Sequence, residues 1–233
     1  MKKLVWLLFF LYFSLGCLLS QISQSIEFDN IHGDGNLVNC FFQDGKGIVW
    51  IGSGGGLYTY NGVSIHKKGL QAPPQLINQM VHCVLQINEL EYYTGTSNGL
   101  GLLNIETDTY HLYSGTEGLD IRSLARLNDH EVLLGTMNGL FRYNLQTNSR
   151  ESVQPLASHP VYSIIVSNKD TFFISSYQGF YCYTPEQENY TFIPLPGTDG
   201  NPSLVISMIW DGNETSLWVG TERELLKYDV GDQ

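Results

Sequence analysis

VNCFFQDGKGIVWIGSGGGLYTYNG, residues 38–62, is one turn of a pattern that the rest of the chain repeats. Aligned on Gly52, the same order of residue types returns at Gly95, Gly135, Ser175 and Gly220, at spacings of 43, 40, 40 and 45 residues. A fixed period in this range is the mark of a repeat architecture. The anchored segments read IVWIGSGGGLYTYN, EYYTGTSNGLGLLN, EVLLGTMNGLFRYN, TFFISSYQGFYCYT and SLWVGTERELLKYD.

Several columns of this alignment carry physics. Two residues before the anchor stands a bulky apolar residue: Trp50, Tyr93, Leu133, Phe173 or Trp218. Four residues after it comes Gly56, Gly99, Gly139 or Gly179, with Glu224 the exception. Glycine there supplies the positive φ of a tight hairpin turn. Leu57, Leu100, Leu140, Phe180 or Leu225 follows, and Asn61, Asn104, Asn144, Thr184 or Asp229 ends the segment with a turn-forming side chain. Upstream, another strand begins at Val38, Val81, Ile121, Val161 or Val205. It carries a small side chain two residues on: Cys40, Cys83, Ser123, Ser163 or Ser207.

Each unit therefore reads as three strands joined by hairpins, then a weaker fourth, clearest at 109–113 and 190–193. Four antiparallel strands per unit with this period describe a β-propeller blade. Helical repeats share the period, but these segments are short, β-branched, aromatic and punctuated by glycine. The fold expected is all-β: a propeller with five four-stranded blades at about 38–80, 81–120, 121–160, 161–204 and 205–233. Residues 21–37 precede the blades. Within them SIEFDNI, residues 25–31, reads as a lone strand able to complete the last blade, which stops after its third strand. Such a clasp removes exposed sheet edges. Whether five blades close the ring or form part of a larger one is left open.

Lys2 and Lys3 followed by an apolar run from Leu4 to Leu19 read as a signal peptide over residues 1–20. Cys17 after Ser14-Leu15-Gly16 leaves open a lipid anchor. Either way the remainder is expected in the periplasm or cell envelope, with no other link to a membrane. The net charge of −11 argues against nucleic acid as a partner. Cys40, Cys83 and Cys182 show no metal-type spacing, and the six histidines include no HxH or HExxH. Neither a metal nor a cofactor is expected. The GSGGG run at 52–56 is followed by a strand instead of the helix that a phosphate loop requires.

One column stands apart. The second residue of the first strand is Asn39, His82, Arg122, Tyr162 or Ile206, variable and mostly polar among apolar neighbours. Asn39, His82, Arg122 and Tyr162 are the candidate ligand-facing residues, ringing the channel mouth. No catalytic set is evident.

Residues 38–62 resemble the two-component regulator propeller repeat. Gln43, Asp44, Gly47, Trp50, Ile51, Gly52, Gly56, Leu57, Tyr60, Asn61 and Gly62 match its pattern. Ser53 stands where Thr is usual, and Ser175 replaces the anchor glycine of the fourth copy. In that family such repeats form the periplasmic sensor region of hybrid two-component histidine kinases that respond to glycans. The resemblance implies a non-catalytic sensor or interaction module, with an oligosaccharide or a protein domain as partner. Kinase activity would lie outside these residues. An envelope enzyme acting on polysaccharide, a glycosidase or lyase, and a structural docking scaffold are the alternatives.

Overall fold

The computed structural model describes residues 37–70, 79–167, 171–185, 189–195, 200 and 203–230. All of them belong to one compact unit, His32–Gln233. The expected signal peptide and the strand at 25–31 lie outside the described residues.

The first blade holds β1 (Val38–Gln43), β2 (Val49–Ser53), β3 (Gly56–Tyr60) and β4 (Ile65–Lys67). The second holds β5 (Val81–Gln86), β6 (Glu91–Thr96), β7 (Gly99–Asn104) and β8 (Thr109–Leu112). The third holds β9 (Ile121–Arg126), β10 (Glu131–Thr136), β11 (Gly139–Asn144) and β12 (Ser149–Ser152). The fourth holds β13 (Ile164–Val166), β14 (Phe172–Ser176), β15 (Gly179–Thr184) and β16 (Asn189–Pro194). In the fifth, β17 (Val205–Trp210), β18 (Ser216–Thr221) and β19 (Leu225–Asp229) are described. Each sheet is an antiparallel meander in chain order. The first strands of successive blades contact one another, so they line the axis. The chain is an all-β propeller of five blades.

The hairpin between second and third strands is built as the alignment implies. Gly56, Gly99, Gly139 and Gly179 have φ of 116°, 130°, 132° and 155°. The residue after the anchor closes the same turn. Thr136 Oγ1 donates to Gly139 O at 2.8 Å and accepts from Asn138 N at 3.0 Å. Ser53 makes the same pair of bonds, to Gly56 O and from Gly55 N, so serine serves in place of threonine. The asparagine column caps the next turn: Asn144 Oδ1 accepts from Gln146 N and Thr147 N, and Asn104 Oδ1 from Glu106 N and Thr107 N.

The anchor glycine answers a different need. A Cβ on Gly95 would lie 2.4 Å from Cys83 Sγ and 2.8 Å from Ile121 Cγ2. The first strand and the next blade press directly on this backbone. The fourth blade shows the consequence of a side chain at the anchor. Ser175 Oγ accepts from the N–H groups of Tyr162 and Ser163, both at 2.9 Å, in place of regular ladder bonds. The strand expected from Val161 therefore starts at Ile164.

Among the described residues, four apolar cores join the blades. Trp50 and Leu57 of the first pack with Val81, Tyr92 and Leu103 of the second. Tyr93 and Leu100 pack with Ile121, Leu124 and Leu134. Leu133 and Leu140 pack with Val161, Ile164 and Ile174. Phe173 and Phe180 pack with Val205, Met208 and Val219. In all four the columns two before and five after the anchor pack toward the following blade, and in three of them the column one before it packs backward, as Leu134, Ile174 and Val219. Burial of such large side chains, roughly 1.5–3 kcal/mol each, is what a lone blade lacks and stacking supplies.

Candidate binding site at the inner strands

The variable column of the first strand sits on a repeated β-bulge. Val38 pairs with Ser53 and Cys40 with Gly52, leaving Asn39 unpaired between them. The same register shift isolates His82, Arg122 and Ile206. A bulge inserts one residue against none on the partner and re-aims its side chain. The column is thus free of the sheet's in-and-out alternation.

The structure brings two of the four expected residues together, through a third that the alignment does not flag. His82 Nε2 lies 3.1 Å from Asp120 Oδ1, and Arg122 Nη2 donates to Asp120 Oδ2 at 2.6 Å. His82 comes from the second blade, and Asp120 and Arg122 from the start of the third. The His82–Asp120 approach is close but poorly aligned, so it is an electrostatic contact and not a hydrogen bond. His82 Nε2, Asp120 Oδ1 and Arg122 Nε are each buried with no hydrogen-bond partner among the described residues. Three unsatisfied polar atoms in one cluster are unusual, because burying such a group unpaired costs about 1–3 kcal/mol.

His82 is only 7% exposed. Burial, then the Arg122 charge, lowers its pKa, against the opposing pull of Asp120. It is neutral at neutral pH. The cluster then holds one cation and one anion with no net charge. Two nitrogens and a carboxylate oxygen remain unsatisfied side by side. That array suits a neutral, hydroxyl-rich ligand better than an ion.

The other two residues are placed differently. Asn39 is exposed, and its Nδ2 donates to Val81 O at 3.0 Å, tying the first blade to the second. Tyr162 is half-buried and precedes β13, because Ser175 has claimed its backbone N–H. Asp120 had a signal in the alignment. The corresponding residues of the other copies are Leu37, Met80, Pro160 and Leu204, and a carboxylate in that apolar column is the exception. Among the described residues no group of three or more His, Cys, Asp or Glu is arranged to hold a metal.

The family model described as two component regulator propeller matches residues 32–55, so the chain carries that repeat. No curated protein matches the chain. The extracellular domain of the putative hybrid two component system BT4673 from B. thetaiotaomicron is 30% identical, with a TM-score of 0.72 over 86% of this chain and 27% of that one. The corresponding domain of BT3049, from the same organism, is 18% identical over 88% of this chain and 29% of that one, with a TM-score of 0.67. An ancestral GH74 enzyme is 19% identical over 79% of this chain and 27% of that one, with a TM-score of 0.61. At their identities the last two show the fold alone. The chain spans little more than a quarter of the length of these structures. It resembles the extracellular sensor domains of hybrid two-component systems.

Proposed function

We propose that this chain is part of an exported, non-catalytic sensor propeller that recognises an oligosaccharide at its inner strands. The observation that carries the reading is the His82–Asp120–Arg122 cluster, which spans two blades and leaves three buried polar atoms unsatisfied. A ligand offering adjacent hydroxyls satisfies all three. Binding there touches the second and third blades at once. Export is supported by the extracellular character of the similar domains and by the leader-like residues 1–20.

Isothermal titration of the protein against an oligosaccharide panel tests the reading. The expected result is a binding heat for at least one member that Arg122→Ala abolishes. Binding unchanged by Arg122→Ala overturns the site. Hydrolysis or elimination products from the panel overturn the non-catalytic role in favour of a polysaccharide-active enzyme.

A further inference from the structure

The first strands of neighbouring blades are stitched together by a bond that differs from seam to seam. Between the third and fourth blades Ile164 N donates to Ser123 Oγ at 2.8 Å. Between the fourth and fifth Met208 N donates to Ser163 Oγ at 3.2 Å. Both serines stand in the small-residue column, which holds Cys40 and Cys83 in the first two blades. A thiol sulfur is a weak acceptor and a poor substitute for that hydroxyl. The first seam is held in another way: Asn39 Nδ2 donates to Val81 O at 3.0 Å. The second seam has neither device. Among the described residues no hydrogen bond joins β5 to β9 or to Asp120. The polar contact across it is His82 Nε2 at 3.1 Å from Asp120 Oδ1.

That contact depends on a proton. Asp120 already accepts from Arg122 Nη2 at 2.6 Å, so its negative charge is matched before His82 is counted. The His82 side chain is 4% exposed, which keeps water from it. A proton on Nε2 sets two cations against one carboxylate inside the protein, and a buried charge without its own counter-charge is costly. The neighbouring strands offer no relief. Burial raises the thiols of Cys40 on β1 and Cys83 on β5, so neither brings a negative charge. Tyr92 and Tyr93 of β6 pair with Gln86 and Leu85, at the far end of β5, and Arg126 of β9 pairs with Val132, equally far from the bulge. Burial, and then the Arg122 charge, accordingly lower the His82 pKa from 6.5.

We infer that the inner seam between the second and third blades is an acid-operated latch: proton uptake at His82 Nε2 opens it locally, while the stitched seams stay closed. The imidazolium reaches water only by leaving its place between the strands. At this seam that movement breaks no hydrogen bond among the described residues, whereas each of the other three has one to lose. Such local opening costs less than unfolding the domain. It draws His82 away from Asp120 and Arg122, so acid takes the cluster apart. As a control on ligand binding the inference rests on the site proposed above. As a movement of two blades it stands without that site, and its test contains no saccharide, so either can fail alone.

Hydrogen exchange of the whole protein at about pH 7.5 and about pH 5 tests the latch, each rate being divided by its intrinsic value at that pH. Protection of Val81–Gln86 and Ile121–Arg126 should fall about tenfold at the lower pH, while that of Ile164–Val166 and Val205–Trp210 holds within about twofold. His82→Asn should abolish the fall. Cys83→Ser keeps His82 and gives the second seam the hydroxyl of the third and fourth, opposite Leu124 where they have Ile164 and Met208. It should cut the fall to about a third or less, since the seam then has a bond to break. An equal fall in all four strands overturns the inference, because the acid effect is then global. No fall at all overturns it too, as does a fall that His82→Asn or Cys83→Ser leaves unchanged.

Discussion

Asp44 offers the sharpest test of how the first two blades are joined. Its Oδ1 accepts from the N–H groups of Lys46 and Ile48 at 2.9 and 3.0 Å. Its Oδ2 accepts from the Trp50 indole at 3.0 Å and the Tyr92 hydroxyl at 3.3 Å. Trp50 and Tyr92 come from adjacent blades and their rings lie 4.1 Å apart. The carboxylate thus shapes the turn with one oxygen and anchors the interface with the other.

Asp44→Asn keeps the shape and replaces one acceptor oxygen with a donor. If the amide oxygen stays on the turn, its NH2 faces the Trp50 N–H, which cannot become an acceptor. Trp50 is 2% exposed, so water cannot take over. Leaving that donor unpaired and losing the charge assistance costs about 2 kcal/mol. In a domain of this size that lowers Tm by about 4–8 °C. Thermal unfolding followed by tryptophan fluorescence at pH 7 measures it. The same substitution in a Trp50→Phe background should cost distinctly less, because the orphaned donor is already gone. A Tm shift below about 1 °C, or an equal cost in both backgrounds, refutes the reasoning.

The pH dependence has a definite sign. Burial alone would raise the Asp44 pKa, but the bonds from Trp50, Ile48, Lys46 and Tyr92 outweigh it and hold it below the ordinary 3.8. The unfolded chain then binds the proton more readily. The stabilisation is complete above the ordinary value and is lost as the pH falls through the lower native one. Asp44→Asn should flatten this part of the acid unfolding curve.

The other expectations are briefer. Gly95→Ala sets a methyl 2.4 Å from Cys83 Sγ and should destabilise by about 1–3 kcal/mol in chemical denaturation, with partial recovery in Gly95→Ala/Cys83→Ala. Leu140→Ala, at a fully buried site, should cost about 2–5 kcal/mol in the same assay. Burial pushes the thiols of Cys40 and Cys182 up to about 11 and raises that of Cys83 well above its ordinary value, so maleimide at pH 8 should label them slowly until the protein is unfolded. His82, its pKa held below 6.5 chiefly by burial, binds protons less readily folded than unfolded. Stability should therefore decline as the pH drops below that value, and His82→Asn should remove the decline.

The blade repeat was legible because each of its columns answers a backbone demand that few residues meet. Gly139 stands where φ is 132°, Asn144 where two N–H groups need an acceptor, and Gly95 where a Cβ has no room. Such demands recur in most copies, so alignment of the chain on itself exposes them. Which way a column faces was not legible. Trp50 and Ile51 are both apolar neighbours, and only packing reveals that one serves the next blade.

The site was legible in part for the same reason. Its column stood out by varying, but the bulge that frees it is a register shift of one residue, invisible without the partner strand. Tyr162 shows how a distant side chain alters the outcome: the hydroxyl of Ser175 takes its N–H and delays the strand. Asp120 shows the converse. It breaks an apolar column, and a rule for departures from the repeat finds it where a rule for shared positions does not. In a propeller the shared columns build the ring, so the proposed recognition is carried by residues that a blade does not share with its neighbours. Asp120 and the bulged His82 and Arg122 meet that condition together, and they meet in space at 3.1 and 2.6 Å.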